Sequence, residues 1–175
     1  PEHVTCKDGV RTVVLTGANG FLGIHLLAAL VEAGYSVVSV VRATGRAKAL
    51  AKLSQAASAA GLTLDVGGLD VVCGDVSSER LGLSEAEYAA LVGRTDAVIH
   101  NAAAVNWTRG YDHLRGTNVV GTRHAVGLAC AAGARLVFVS TAGVCPFVGG
   151  REELPTGAPL PAGTTGYIQT KWASE

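Results

Sequence analysis

A chain of 175 residues, 49% of them hydrophobic, has the length of one domain and enough apolar side chains for a single sizeable core. Its 14 basic residues balance 14 acidic ones and are scattered rather than striped, which excludes the electrostatic footprint of a nucleic-acid binder. Apolar runs are broken by charge well short of the roughly 20 residues of a membrane span, and no basic-then-apolar leader opens the chain. Cys6, Cys73, Cys130 and Cys145 have neither zinc spacing nor the density of a secreted scaffold, so a cytoplasmic protein with free thiols, no metal and no membrane partner is expected.

Residues 1–10 carry Pro1, Asp8 and Gly9 without periodicity and read as a linker, leaving 11–175 as the domain. The run from Arg11 to Leu15 predicts a strand, and Phe21 to Ala33 predicts a helix stopped by Gly34. Ser36 to Val41 predicts a second strand. The Ala-rich stretch Arg46 to Ala60 favours helix and ends at Gly61. Leu69 to Cys73 is a third strand closed by Gly74-Asp75. Ser84 with Glu87 forms a capping box that opens a helix to Val92. Asp96 to His100 predicts a fourth strand, Tyr111 to Ala132 a helix stopped by Gly133, and Arg135 to Ser140 a fifth strand. A Gly/Pro-rich loop follows from Ala142 to Gly166, then a helix from Tyr167 to the end. Continuous apolar strands alternating with helices predict an α/β fold whose parallel sheet is covered on both faces.

Thr16-Gly17-Ala18-Asn19-Gly20-Phe21-Leu22-Gly23 joins the first strand to the first helix, and this strand–glycine turn–helix pattern is a phosphate cradle. Gly17 permits the turn, Gly20 lets backbone approach a pyrophosphate, and Gly23 lets the helix lie close. The free N–H groups and dipole of the helix then face the anion. The spacing is G-x-x-G-x-x-G rather than the commoner G-x-G-x-x-G.

Tyr167 and Lys171 stand four apart on a predicted helix and share a face. In isolation they read as an exposed helix pair. They follow a strand ending Val139-Ser140-Thr141, however, and ligands in parallel sheets bind at that end of the strands. There an ammonium beside the phenol is expected to lower its pKa and fit it for proton transfer. His100 reads as a strand-end histidine with a satisfied hydrogen bond. Trp107 reads either as a border of a substrate channel or as packing.

Thr16 to Gly23, Gly74-Asp75, His100-Asn101-Ala102-Ala103, Asn118-Val119-Val120-Gly121-Thr122, Val139-Ser140-Thr141 and Tyr167-x-x-x-Lys171 occur in the order seen in the extended short-chain dehydrogenase/reductases. The chain resembles that superfamily over essentially its whole length. Gly20-Phe21-Leu22-Gly23, Val41-Arg42-Ala43, His100 through Trp107, and Gly166-Tyr167-x-Gln169-x-Lys171-Trp172 look most like its thioester reductase domains, the terminal reductases of nonribosomal peptide and polyketide synthetases and of carboxylic acid reductases. The resemblance implies a Rossmann-type doubly wound sheet and NADPH-dependent release of an acyl or peptidyl chain from the phosphopantetheine arm of a carrier protein, as an aldehyde or, after a second reduction, an alcohol. It implies that Tyr167, helped by Thr141, donates a proton, and that Lys171 binds the nicotinamide ribose and tunes Tyr167.

For the cofactor, the resemblance points to Thr16, Gly17, Asn19, Gly20, Phe21, Leu22 and Gly23 in the cradle, to Asp75 and Val76 by the adenine, and to Asn101, Ala102 and Ala103 along the cavity. Asn118 either supports the active-site loop or touches the cofactor. Arg42 at the end of the second strand suits a 2′-phosphate, where an acidic side chain suits the ribose hydroxyl of NAD, and Lys52 adds charge. Relatives continue past Lys171 with a sixth strand and a helical substrate domain. That domain is expected to be absent here, leaving a chain that binds NADPH without selecting its substrate. Two alternatives remain at this point: an extended reductase or epimerase acting on a free carbonyl or sugar nucleotide, and a non-catalytic dinucleotide-binding module.

Overall fold

Runs such as Val13-Val14-Leu15 and Val37-Val38 place β-branched or apolar side chains at successive positions, so both faces of a pleated strand need cover. In the computed structural model, which describes residues 9–145, 159–160 and 162–175, these runs form β1 (Thr12–Thr16) and β2 (Ser36–Val41), joined by α1 (Phe21–Glu32). Then follow α2 (Arg46–Ala59), β3 (Asp70–Cys73), α3 (Glu85–Val92) and β4 (Ala97–His100). The rest is α4 (Tyr111–Arg115), α5 (Gly121–Ala132), β5 (Arg135–Phe138) and α6 (Gly166–Trp172).

The five strands form one sheet in the order β3-β2-β1-β4-β5, with every neighbouring pair parallel. Alternate side chains feed opposite faces. Leu15, Val37 and Val41 pack with Ile24, Leu27 and Leu53 under α1 and α2, whereas Val14, Val38 and Val98 pack with Leu91 and Leu128 under α3 and α5. Full burial of a leucine such as Leu53 or Leu128 contributes about 2 kcal/mol. After β3 the chain crosses to the other side of β1, so strand order reverses between β1 and β4, where such sheets open a binding crevice.

The expected elements are present with shifted ends. Gly34, at φ +84°, follows α1, and the Ser84–Glu87 capping box opens α3 with both reciprocal bonds made. The helix expected over 111–132 is divided: between α4 and α5, Gly116–Val120 adopts the wider π form. Backbone angles stay helical at Gly116 and Gly121, and the widened turn carries Asn118, whose side chain bonds outside the helix. The fifth strand ends at Phe138. Val139 N still donates to His100 O at 3.0 Å, and Ser140 and Thr141 then leave the ladder. The last helix starts at Gly166, capped by Thr165, and ends at Trp172 rather than at the terminus. Most of the expected linker (1–8), Cys6, and 146–158 and 161 of the expected loop lie outside the described residues. Among the described residues no helix is long and apolar enough to cross a membrane.

Candidate active site

Thr16, fully buried at the end of β1, ties the crevice walls together. Its Oγ1 lies 2.8 Å from His100 Nδ1 and accepts a hydrogen bond from Ala102 N at 3.1 Å. The chain then turns through Gly17 at φ +70°, where a Cβ would fall 2.7 Å from Ala102 Cα. Gly23 is under still greater constraint, since a Cβ there would fall 1.9 Å from Gly17 O. Gly17 O also accepts Gly20 N at 3.0 Å and Asn101 Nδ2 at 3.2 Å. No side chain caps α1, and no acidic residue occupies its first turn. The first N–H groups of α1 are thus open toward an anion, with the positive end of the helix dipole behind them.

From this turn a cavity of about 540 Å³ extends over the carboxyl ends of the strands. Fourteen of the sequence-predicted residues line it: Gly17, Asn19, Gly20, Phe21 and Leu22 at the cradle; Arg42, Lys52, Asp75 and Val76 on one side; Asn101, Ala102 and Ala103 along the floor; Tyr167 and Lys171 at the far end. Arg42 Nη1 stands 3.8 Å from Asp75 Oδ2 with its side chain 78% exposed, and Lys52 Nζ donates to Arg42 O at 2.6 Å. Burial opposes ionisation of Asp75, but the Ser77 hydroxyl and N–H, both bonded to Oδ1, and the Arg42 guanidinium hold its carboxyl below the usual carboxylate range. Two cations and one firmly ionised carboxylate therefore edge the cavity here.

At the far end, Lys171 is only 2% exposed. Its ammonium donates to Val139 O at 2.6 Å and sits 4.0 Å from the centre of the Phe138 ring. Burial pushes its pKa down to about 8, with Glu175 opposing. Tyr167 corrects the sequence expectation: its pKa is raised, because burial outweighs the hydrogen bond with the Thr141 side chain. Spacing four apart predicts a shared face, whereas the Lys171 ammonium is turned to Val139 and Phe138. The phenol is held in its protonated, donating form.

Four predicted residues shape the cavity from behind instead of lining it: Thr16, Gly23, Thr141 and Asn118. Asn118 bonds to the chain that follows β4 and to α6. Its Oδ1 accepts Ala104 N at 2.7 Å, and its Nδ2 donates to Ala104 O at 3.1 Å and Thr170 Oγ1 at 2.8 Å. Both Nδ2 hydrogens of this buried side chain are thus spent on the protein, and its Oδ1 is engaged as well. His100 is bonded at Nδ1, but its Nε2 is buried without a partner among the described residues. Burial, then the Lys171 charge, press its pKa to about 4, so the ring is neutral and not a proton carrier near pH 7.

The family described as Male sterility protein matches residues 15–175. The chain belongs to this NAD-binding family. Among the relatives of this Male sterility family chain, isonitrile lipopeptide synthase of Streptomyces coeruleorubidus is 41% identical over 170 residues, covering 93% of this chain and 12% of that protein. L-2-aminoadipate reductase of Schizosaccharomyces pombe is 35% identical over 198 residues, covering 99% and 14%. The crystal structure of the terminal R domain from the myxalamid PKS-NRPS biosynthetic pathway matches with a TM-score of 0.84 and 32% identity, over 97% of this chain and 45% of that one. The chain thus spans less than half the length of each. It shares its family and fold with such reductase domains, as its motif order suggested.

Sequence reasoning missed some of the cavity wall of this family member. Val139 and Ser140 line it beside Thr117, Ala104 and Val105. The first two stand at the carboxyl end of a parallel strand, a position that marks ligand contact in this fold class. Thr117 sits on the π segment, and no residue pattern in the long helix signalled its inward turn.

Proposed function

We propose that the cavity binds NADPH and that the site reduces an acyl or peptidyl thioester, presented on the phosphopantetheine arm of a carrier protein, to an aldehyde. The observation that carries this reading is one continuous cavity with an uncapped helix N-terminus and Arg42 toward one end and Tyr167 and Lys171 at the other. The glycine turn fits the group, because the uncapped start of α1 opens on the cavity, and a Cβ at Gly17 or Gly23 would clash with Ala102 or with Gly17 O and force the turn out of this shape. The α1 N–H groups hold the pyrophosphate, Arg42 and Lys52 the 2′-phosphate, Asp75 and Val76 the adenine side, and Lys171 the nicotinamide ribose.

When bound there, the dinucleotide would supply a hydride for the thioester carbonyl carbon. Tyr167, kept protonated by burial, gives its proton to the carbonyl oxygen as negative charge develops there, and the Thr141 side chain holds the phenol in place. The resulting hemithioacetal breaks its C–S bond to leave an aldehyde and the free thiol of the arm. Lys171, fixed on Val139 O and over the Phe138 ring, keeps its positive charge at this end of the cavity up to about pH 8. Relatives named as a reductase and as a lipopeptide synthase support this reading.

The test is NADPH oxidation and aldehyde formation with an acyl-loaded carrier protein, in the longest polypeptide carrying these residues. Tyr167→Phe is expected to slow turnover roughly 1,000-fold while leaving NADPH affinity within about two-fold. Wild-type turnover is expected to fall as pH rises through about 8, where Lys171 loses its proton. Absence of thioester-dependent NADPH oxidation, or an active Tyr167→Phe enzyme, contradicts the proposal.

A further inference from the structure

Between β4 and α4 the chain runs from Asn101 to Gly110 without helix or strand, yet it is pinned along its length. Asn118 clamps Ala104 through both N–H and C=O. Asn106 Oδ1 accepts Thr108 N at 3.0 Å, Thr108 Oγ1 at 3.0 Å and Arg109 N at 2.9 Å. Gly166, the first residue of α6, lies so close to the loop's end that a Cβ would meet Gly110 C and Tyr111 N at 2.5 Å. A loop held this firmly does not expose apolar side chains through looseness. Even so, Val105 is 61% and Trp107 59% exposed.

Their placement is specific. Val105 lines the cavity, and the Trp107 ring meets the Tyr167 ring edge to face, with centroids 5.3 Å apart and planes at 67°. Single exposed apolar residues are ordinary on protein surfaces. Two of them on a fixed loop, one in the cavity and one against the proton donor, make a preformed apolar shelf beside the reacting carbonyl. Such a shelf matches carbon chain, since it carries no charge and is apolar apart from the Trp107 indole N–H.

Resting on the thioester-reductase reading, we propose that Trp107 and Val105 bind the hydrocarbon part of the acyl group next to the carbonyl, so that the site favours long aliphatic or aromatic acyl chains over short ones. Trp107 contacts both the substrate chain and Tyr167, and so sets the carbonyl against the phenol.

The test uses the longest polypeptide carrying these residues, saturated with NADP+ so that no hydride is available, titrated calorimetrically with the octanoyl and acetyl thioesters of N-acetylcysteamine. Wild type is expected to bind the octanoyl compound at least about ten-fold more tightly. Trp107→Ala, and independently Val105→Ser, are expected to bring that ratio within about two-fold, while Trp107→Phe retains most of it. A wild type that does not discriminate or binds neither thioester, or variants that leave the ratio intact, overturns the proposal. NADPH-dependent turnover of the octanoyl compound is measured in parallel. Discrimination without turnover removes the reductase reading and leaves the shelf, whereas turnover without discrimination removes the shelf and leaves the reaction.

Discussion

At the cradle end of the cavity the decisive contacts are backbone against backbone: Gly17 on Ala102, Gly23 on Gly17 O, and the uncapped start of α1. At the Tyr167 end they are mostly side chain to backbone across long stretches of sequence, with Asn118 reaching 14 residues back to Ala104 and Lys171 reaching 32 back to Val139. A site made of backbone depends on what side chains leave out, and one contiguous motif encodes it. A site made of convergent side chains depends on burial and on partners that no local spacing specifies.

The cradle should therefore break most sharply when a methyl group is added. Gly23→Ala would normally strengthen a helix by about 1 kcal/mol. Here it places Cβ 1.9 Å from Gly17 O. It is expected to cost about 3 kcal/mol of stability and roughly 100-fold in NADPH affinity, read by denaturant unfolding and calorimetry. Gly20→Ala, with 3.3 Å to the same oxygen, should do less of both.

His100, sealed between Thr16, Phe138 and Lys171, gives the convergent end a pH signature. Its folded pKa of about 4 lies below the unfolded 6.5. Between those values the unfolded chain binds a proton that the folded one does not, so stability falls as pH drops through the window, by about 3 kcal/mol in all. Denaturant midpoints at pH 7, 5.5 and 4 should show the loss, and His100→Gln should flatten it.

Asn118→Ala sharpens the contrast from the other side. It leaves Ala104 N and O without the Asn118 side chain and takes from Thr170 Oγ1 the bond it accepts, and is expected to cost about 2 kcal/mol. Turnover should suffer more than NADPH affinity, because Asn118 holds the loop that carries Val105 and Trp107. Equal losses in both measurements would contradict its placement behind the cavity.

The same contrast explains what could be read in advance. Five apolar runs punctuated by Gly34, Gly61, Gly74 and Gly133 announced the parallel sheet, and the cradle followed from eight consecutive residues. Tyr167 and Lys171 were visible as a pair, but the direction of the Tyr167 shift was not. Spacing of four fixes a shared helix face and is silent on burial, which here outweighs the Thr141 hydrogen bond. The roles of Asn118 and Thr117 depended on a π turn inside a helix whose residue pattern reads as continuous.

The most direct measurement is calorimetric titration of NADPH and NADH into wild type, Arg42→Ala and Tyr167→Phe. Wild type is expected to prefer NADPH, and Arg42→Ala to lose roughly ten-fold or more for NADPH alone, in line with a charge-assisted contact to the 2′-phosphate. Tyr167→Phe is expected to bind both cofactors as wild type does. Equal wild-type affinity for NADH and NADPH, or an Arg42→Ala loss shared by both, would contradict the 2′-phosphate contact, and weakened cofactor binding by Tyr167→Phe would contradict a cavity whose binding end and reacting end are separate.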